Sequence, residues 1–71
     1  MEPIEIQRLQ KYLQLKFGQS ELILRKRKTD DSLEVLLKGE FLGTLYKDED
    51  EGEISYDFNM AILDIDLDEV A

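Results

Sequence analysis

The chain has 71 residues, a formal net charge of -8, and neither Cys nor His. A chain of this length forms one domain, residues 1–71, whose core is too small to surround a deep catalytic cavity. Without Cys and His it lacks disulfides, a thiolate nucleophile, the usual zinc ligands and an imidazole base. We therefore expect no enzymatic activity and no cofactor.

The charge is unevenly distributed along the chain. Residues 1–39 contain eight basic and six acidic residues, a net +2, whereas residues 40–71 contain one basic and eleven acidic residues, a net -10. This field repels phosphate backbones and anionic lipid, so we expect neither nucleic acid nor a membrane as the partner. No signal-peptide pattern and no span of about 20 apolar residues is present, which predicts a cytoplasmic protein.

The first predicted element is a helix over residues 3–17. Apolar residues recur at helical spacing from Ile6 to Phe17, Pro3 suits a first helical turn, and Gly18 suits the end of a helix. Four runs with period-two alternation follow, at residues 21–28, 33–38, 41–47 and 53–59. The sequence thus predicts an α+β fold, with the N-terminal helix packed on one face of an antiparallel β-meander of three to four strands.

Turn signals set the predicted strand registers. We expect a turn at residues 29–32, a two-residue turn at Gly39-Glu40 and an acidic loop over residues 48–52. Closing the hairpins on residues 30–31 and 39–40, and pairing Lys47 with Glu53, gives three registers that agree on one apolar face. The predicted core face comprises Leu22, Leu24, Leu33, Val35, Leu37, Leu42, Tyr46, Ile54, Tyr56 and Phe58.

The opposite sheet face carries a predicted apolar cluster, which we name the second-face patch: Ile23, Leu36, Phe41 and Leu45. An apolar cluster on a solvated sheet face usually has a covering element or a partner. The leading hypothesis is therefore a protein-protein interaction module that binds another protein or a second copy of itself through this patch.

The C-terminal segment, residues 60–71, has two interpretations. Met60, Leu63, Leu67 and Val70 fit a short helix that starts after Asn59 as its N-cap. Alternatively, Leu63, Ile65 and Leu67 alternate with aspartates as in a strand. We favour the helix, with an extra strand as the alternative. Either element is a candidate to cover the second-face patch.

Charged motifs suggest further hypotheses. The acidic run 48–53 resembles an EF-hand start, but its glycine falls one position early and Asn59 stands where a bidentate Glu is required. The basic run 25–28 is expected to place Arg27 opposite Glu34, as an internal or subunit-subunit charge complement. Alternative functions are an acidic decoy or regulator of a basic nucleic-acid-binding protein and, more remotely, a metal-dependent hydrolase using Asp64, Asp66 and Asp68.

Three regions carry a resemblance to a known family: residues 6–18, residues 39–43, and residues 48–53 running through to 60–67. Here the chain resembles the domain of unknown function numbered 3126, a family of small acidic alphaproteobacterial proteins. The resemblance implies a bacterial cytoplasmic protein and assigns no activity or binding residue. The order of elements is also similar to the double-stranded-RNA-binding domain, but the closing segment here has acidic residues where that family has basic ones.

Overall fold

The computed structural model describes residues 1–28 and 31–70, so Thr29 and Asp30 of the first predicted turn lie outside the described residues. In chain order the elements are α1 (Pro3–Phe17), β1 (Leu22–Lys26), β2 (Ser32–Leu37), β3 (Glu40–Asp50), β4 (Glu53–Asn59), α2 (Asp64–Leu67) and a 3₁₀ helix (Asp68–Val70). The four strands form one antiparallel sheet in the order β1-β2-β3-β4. The predicted α+β fold is confirmed.

Helix α1 has the predicted bounds because both of its ends are specified locally. The Glu2 N–H donates to the Glu5 carboxylate at 3.3 Å, and Pro3 occupies the first turn, where its missing N–H costs nothing. Gly18 ends the helix in the left-handed conformation, with φ at 63°, and its N–H donates to the Gln14 carbonyl. No helix of the described residues is long and apolar enough to cross a membrane.

The core lies between α1 and one face of the sheet. Its buried residues are Leu13, Leu22, Leu24, Leu33, Val35 and Leu45, and the partly buried residues packed against them include Ile6, Leu9, Leu37, Leu42, Tyr56 and Phe58. The predicted core face is wrong at Tyr46, which lies on the opposite face and is 40% exposed. Ile54 lies on the predicted face, beside α1, but is 57% exposed.

The β2-β3 turn is displaced by one residue from the prediction, and the β3-β4 turn is tighter than predicted. The β2-β3 turn is Lys38-Gly39, with φ of 53° and 80°, and the β3-β4 turn is Glu51-Gly52, with φ of 51° and 82°. Positive φ at both positions matches the twist of hairpin strands and favours Gly at the second position. The predicted Gly39-Glu40 turn and the predicted loop over residues 48–52 are therefore wrong, and β3 extends to Asp50.

A β-bulge in β3 changes which side chains face the helix. Leu36 pairs with Phe41, but Val35 pairs with Gly43, so Leu42 is an extra residue on β3. A shift of one residue turns every later side chain to the other face. Leu45 consequently enters the core, and Tyr46 lies on the second face.

The other two registers also differ from the prediction. Leu37 pairs with Leu22 instead of Leu24, a shift of two residues that leaves the side chains on their predicted faces. Phe58 pairs with Leu45 instead of Leu42, because β3 and β4 continue beyond the predicted loop.

The two edges of the sheet are exposed to different degrees. Helix α1 shields β1, since Gln10 accepts a hydrogen bond from the Leu24 N–H at 2.9 Å and Gln14 donates to the Leu22 carbonyl at 2.9 Å. Strand β4 forms the other edge and has no further strand beside it. The edge of β4 is thus the open one among the described residues.

The C-terminal segment is a short helical turn, as favoured, and the extra-strand alternative is wrong. Asn59 ends β4 and does not cap the helix. The helix begins at Asp64, and the Leu63 N–H donates to the Asp66 carboxylate at 2.9 Å.

Candidate functional site

A row of apolar side chains crosses the second face of the sheet. In this row Leu36 of β2 pairs with Ile23 of β1 on one side and with Phe41 of β3 on the other. The central Leu36 is 5% exposed, whereas Ile23 and Phe41 are 45% and 53% exposed. We name these three residues the apolar row. They are the three members of the predicted second-face patch that the fold brings together.

Leu45, the fourth predicted member of the second-face patch, lies in the core. It is 2% exposed and packs among the buried residues beneath α1. Its placement on the second face is wrong because the bulge at Leu42 reverses the alternation beyond it. The same reversal places Thr44 and Tyr46 on the second face, which sequence reasoning missed. Gly43 inside an apolar strand was the available signal, because an isolated strand glycine often marks a bulge.

Basic residues border one end of the apolar row. Arg25 follows Ile23 on the same face of β1, and its guanidinium lies 2.8 Å from the Glu34 carboxylate. The predicted pairing of Arg27 with Glu34 is wrong, because the first hairpin register is displaced by two residues. A shallow hollow of about 450 Å³ is lined by residues 25–28 together with Glu34. Within the described parts of the chain, no carboxylate forms an ion pair with Lys26, Arg27 or Lys28.

The C-terminal segment does not cover the apolar row. Helix α2 contacts the following 3₁₀ helix and no strand or helix of the rest of the described chain. The segment begins beside the row, because Met60 and Ala61 line a hollow together with Phe41. From there every residue of 60–70 is exposed, and Ile62 and Val70 are 66% and 77% exposed.

A second feature, a cleft of about 540 Å³, lies between α1 and the β3-β4 hairpin. Inside it the Glu5 carboxylate accepts hydrogen bonds from the Tyr56 hydroxyl and from the Lys47 ammonium, the latter at 2.9 Å. Lys47 also lies 3.2 Å from the Glu49 carboxylate. These contacts tie the start of α1 to the far half of the sheet. Sequence reasoning missed them because they join residues about 40 to 50 positions apart.

The charges in this cleft are stabilised in their ordinary ionisation states. Hydrogen bonds from Tyr56 and then Lys47 lower the pKa of Glu5 from 4.5 to about 2. The Glu5 carboxylate in turn raises the pKa of Lys47 and of Tyr56 above their usual ranges. None of the three groups is poised near neutral pH, where a general acid or base works best. The arrangement is suited to holding α1 on the sheet.

Acidic residues are the only metal ligands of the usual kinds that the chain offers. Among the described residues, no three or more carboxylates lie close enough together to hold a metal ion. Alternation along β3 sends Asp48 and Asp50 to one face and Glu49 to the other. The EF-hand-like run is therefore a hairpin end.

Comparison with known proteins gives one match. The model of the family described as "Protein of unknown function (DUF3126)" matches residues 5–66, which is most of the chain. No curated protein and no solved structure matches.

Proposed function

We propose a function from the surfaces of this chain, because the chain belongs to the DUF3126 family, which is described as having unknown function. The proposed function is that of a small protein-protein interaction module without enzymatic activity, working in the cytoplasm. Its binding surface is the second sheet face, centred on the apolar row Ile23, Leu36 and Phe41. The observation that carries the proposal is an apolar row across three strands that no element of the described chain covers.

The size of the apolar row limits what it contributes. Full burial of a large apolar side chain is worth about 1.5 to 3 kcal/mol. Since Ile23 and Phe41 are each about half exposed and Leu36 is already buried, the row contributes about 1.5 to 3 kcal/mol in total. Association costs an estimated 4 to 15 kcal/mol, so a partner must also contact neighbouring groups. The neighbouring groups that a partner could contact are Tyr46, the basic run 25–28 and the open edge of β4.

The proposal is tested by placing a charge in the apolar row. Phe41→Glu is compared with Leu15→Glu, which puts the same charge at a site on α1 that is 71% exposed. Light scattering over a wide concentration range reports self-association, and capture from bacterial lysate on immobilised full-length chain reports other partners. We expect Phe41→Glu to lose whatever association the wild type and Leu15→Glu share. Unchanged association of folded Phe41→Glu in both assays would contradict the proposal.

A second candidate function is an acidic regulator that binds a basic nucleic-acid-binding protein. It is favoured by the β3-β4 hairpin end, where residues 48–51 and Glu53 are all exposed and acidic. Binding through this end should weaken steeply as salt rises, since exposed charges more than about 8 Å apart are screened at physiological ionic strength. Binding that survives 0.5 M salt and is lost in Phe41→Glu would exclude this candidate.

A further inference from the structure

We infer that the apolar row receives the C-terminal segment, residues 60–70, of a second copy of the chain. This inference rests on the proposed function and names the partner of that same surface. It follows from three features of the described residues: an unpartnered apolar and acidic segment, a row that is too small to bind alone, and complementary charge between the segment and the β1 end of the row.

The C-terminal segment exposes several apolar side chains, as a protein-binding surface does. Five of its apolar side chains are 55% to 77% exposed, far from the burial of the core leucines. They are Ile62, Leu63, Ile65, Leu67 and Val70. Exposed apolar side chains concentrated in one segment mark an interaction site more often than scattered ones do. The segment therefore supplies the apolar area that the row lacks.

The acidic segment is complementary in charge only to the β1 end of the receiving face, because Asp48, Asp50, Glu53 and Asp57 make the β3-β4 half of that face acidic. The segment contains Asp64, Asp66, Asp68 and Glu69 and no basic residue. At the β1 end Arg25 adjoins Ile23 and forms an ion pair with Glu34. The basic run continues to Lys28 with three cations that have no ion-pair partner among the described residues, of which Lys26 pairs with Leu33 and faces the helix side. Complementary charge of this kind raises the association rate and fixes the orientation of the bound segment.

A second copy suits the geometry better than the segment's own sheet. The segment leaves the sheet next to Phe41, and its helix α2 then contacts the following 3₁₀ helix and no strand of the described chain. In this arrangement the segment lies away from its own row and is free for another molecule. A twofold exchange lets each copy donate one segment and accept one, which doubles the buried area in a closed dimer. A standard interface buries about 1,600 Å² in total, which the row without the segment does not approach.

Two full-length variants distinguish the two roles in the proposed dimer, the C-terminal segment that is donated and the apolar row that accepts it. Phe41→Glu damages the row and keeps the segment, and the double variant Ile65→Glu/Leu67→Glu damages the segment and keeps the row. Each replaces exposed side chains, so both should fold, which circular dichroism checks. By analytical ultracentrifugation we expect each variant alone to associate at least tenfold more weakly than the wild type. An equimolar mixture should regain heterodimers, since it contains one intact row and one intact segment.

The outcomes separate this inference from the proposed function. Wild-type association in the double variant, together with its loss in Phe41→Glu, would overturn the segment as occupant and leave the row as the binding surface. Loss in neither variant would overturn both. A wild type that stays monomeric at every concentration would overturn the second copy as partner. Weakening of wild-type association by several fold between 0.05 and 0.5 M salt, about the range in which screening becomes strong, would support the charge pairing.

Discussion

At the scale of single residues, burial separates the roles of Leu45 and Phe41, two apolar residues on opposite faces of β3. Leu45 is 2% exposed and Phe41 is 53% exposed. We expect Leu45→Ala to lower the free energy of unfolding by about 2 to 5 kcal/mol, because it leaves a cavity in the core. Phe41→Ala should cost less than about 1 kcal/mol, as surface substitutions usually do. Urea denaturation measures both values, and equal losses would contradict the assignment of the two residues to different faces.

Glu5 makes a residue-scale contribution that depends on pH. Because its folded pKa of about 2 lies below the ordinary value of 4.5, ionised Glu5 stabilises the fold above pH 4.5, and this stability is lost as the pH falls toward 2. Glu5→Gln should therefore be less stable than the wild type at pH 7, and the difference should shrink across that window. Tyr56→Phe, which removes one donor to Glu5, should show a smaller difference over the same range.

Thermal melts of the three proteins between pH 2 and pH 7 check this expectation. Parallel curves for the wild type and Glu5→Gln would mean that the contact between Glu5 and Lys47 does not form in solution.

The contact between Glu5 and Lys47 could not be predicted from the sequence. A glutamate in a first helical turn and a lysine in a strand each have an ordinary local role, and only the fold places them together.

At the scale of elements, the sequence predicted the ends of α1 and the positions of the strands, which depend on local backbone preferences and side-chain alternation. Pro3 and Gly18 marked both ends of α1, and alternation located four strands in the right order. The β2-β3 turn was misplaced because Gly39 fits the first position of one common two-residue turn, whereas the chain forms the other, with positive φ at Lys38 and Gly39 and Gly second. The bulge in the β2-β3 pairing was missed because Gly43, the local signal for it, was read as an ordinary strand position.

Gly43 tests the element-scale account of the bulge. A Cβ atom at this position would lie 2.1 Å from the Asn59 carbonyl oxygen of β4, which leaves no room for a side chain. We expect Gly43→Ala to destabilise the protein by about 1 to 3 kcal/mol, the usual cost of overpacking. Amide resonances at the end of β4 should shift as well. A Gly43→Ala variant that keeps wild-type stability and resonances would contradict the close approach of β4.

The shielded edge of β1 gives a second element-scale prediction. Gln10→Ala removes the acceptor of the Leu24 N–H and should cost about 1 kcal/mol, the net value of one hydrogen bond. Hydrogen exchange of the Leu24 amide should become faster. Gln7→Ala, at an exposed position on the same helix, is the matched control and should change neither quantity. An unchanged Leu24 exchange rate in Gln10→Ala would exclude this shielding role.

At the scale of the whole molecule, three members of the predicted second-face patch share a face and one does not. Leu36 and Phe41 lie beside the tight β2-β3 turn, before the bulge, and Ile23 pairs with Leu36, so the predicted alternation holds for all three residues. Leu45 lies beyond the bulge, where the predicted alternation of side chains fails. The sequence favoured a helix for the C-terminal segment but left its course open, because a covering role depends on three-dimensional direction. Because α2 contacts no strand of the described chain, its position is compatible with the proposed binding by a second copy.

The absence of Cys allows a single engineered cysteine to carry a spin label, which tests this account most directly. Glu69→Cys places the spin label in the C-terminal segment of chains without ¹⁵N. These chains are mixed with ¹⁵N-enriched wild-type chains, which have no Cys and so carry no label. Any broadening of amide resonances therefore arises between molecules. The account predicts broadening of the amide resonances of Ile23, Leu36 and Phe41. Broadening confined to other surfaces, or none at millimolar concentration, would contradict it.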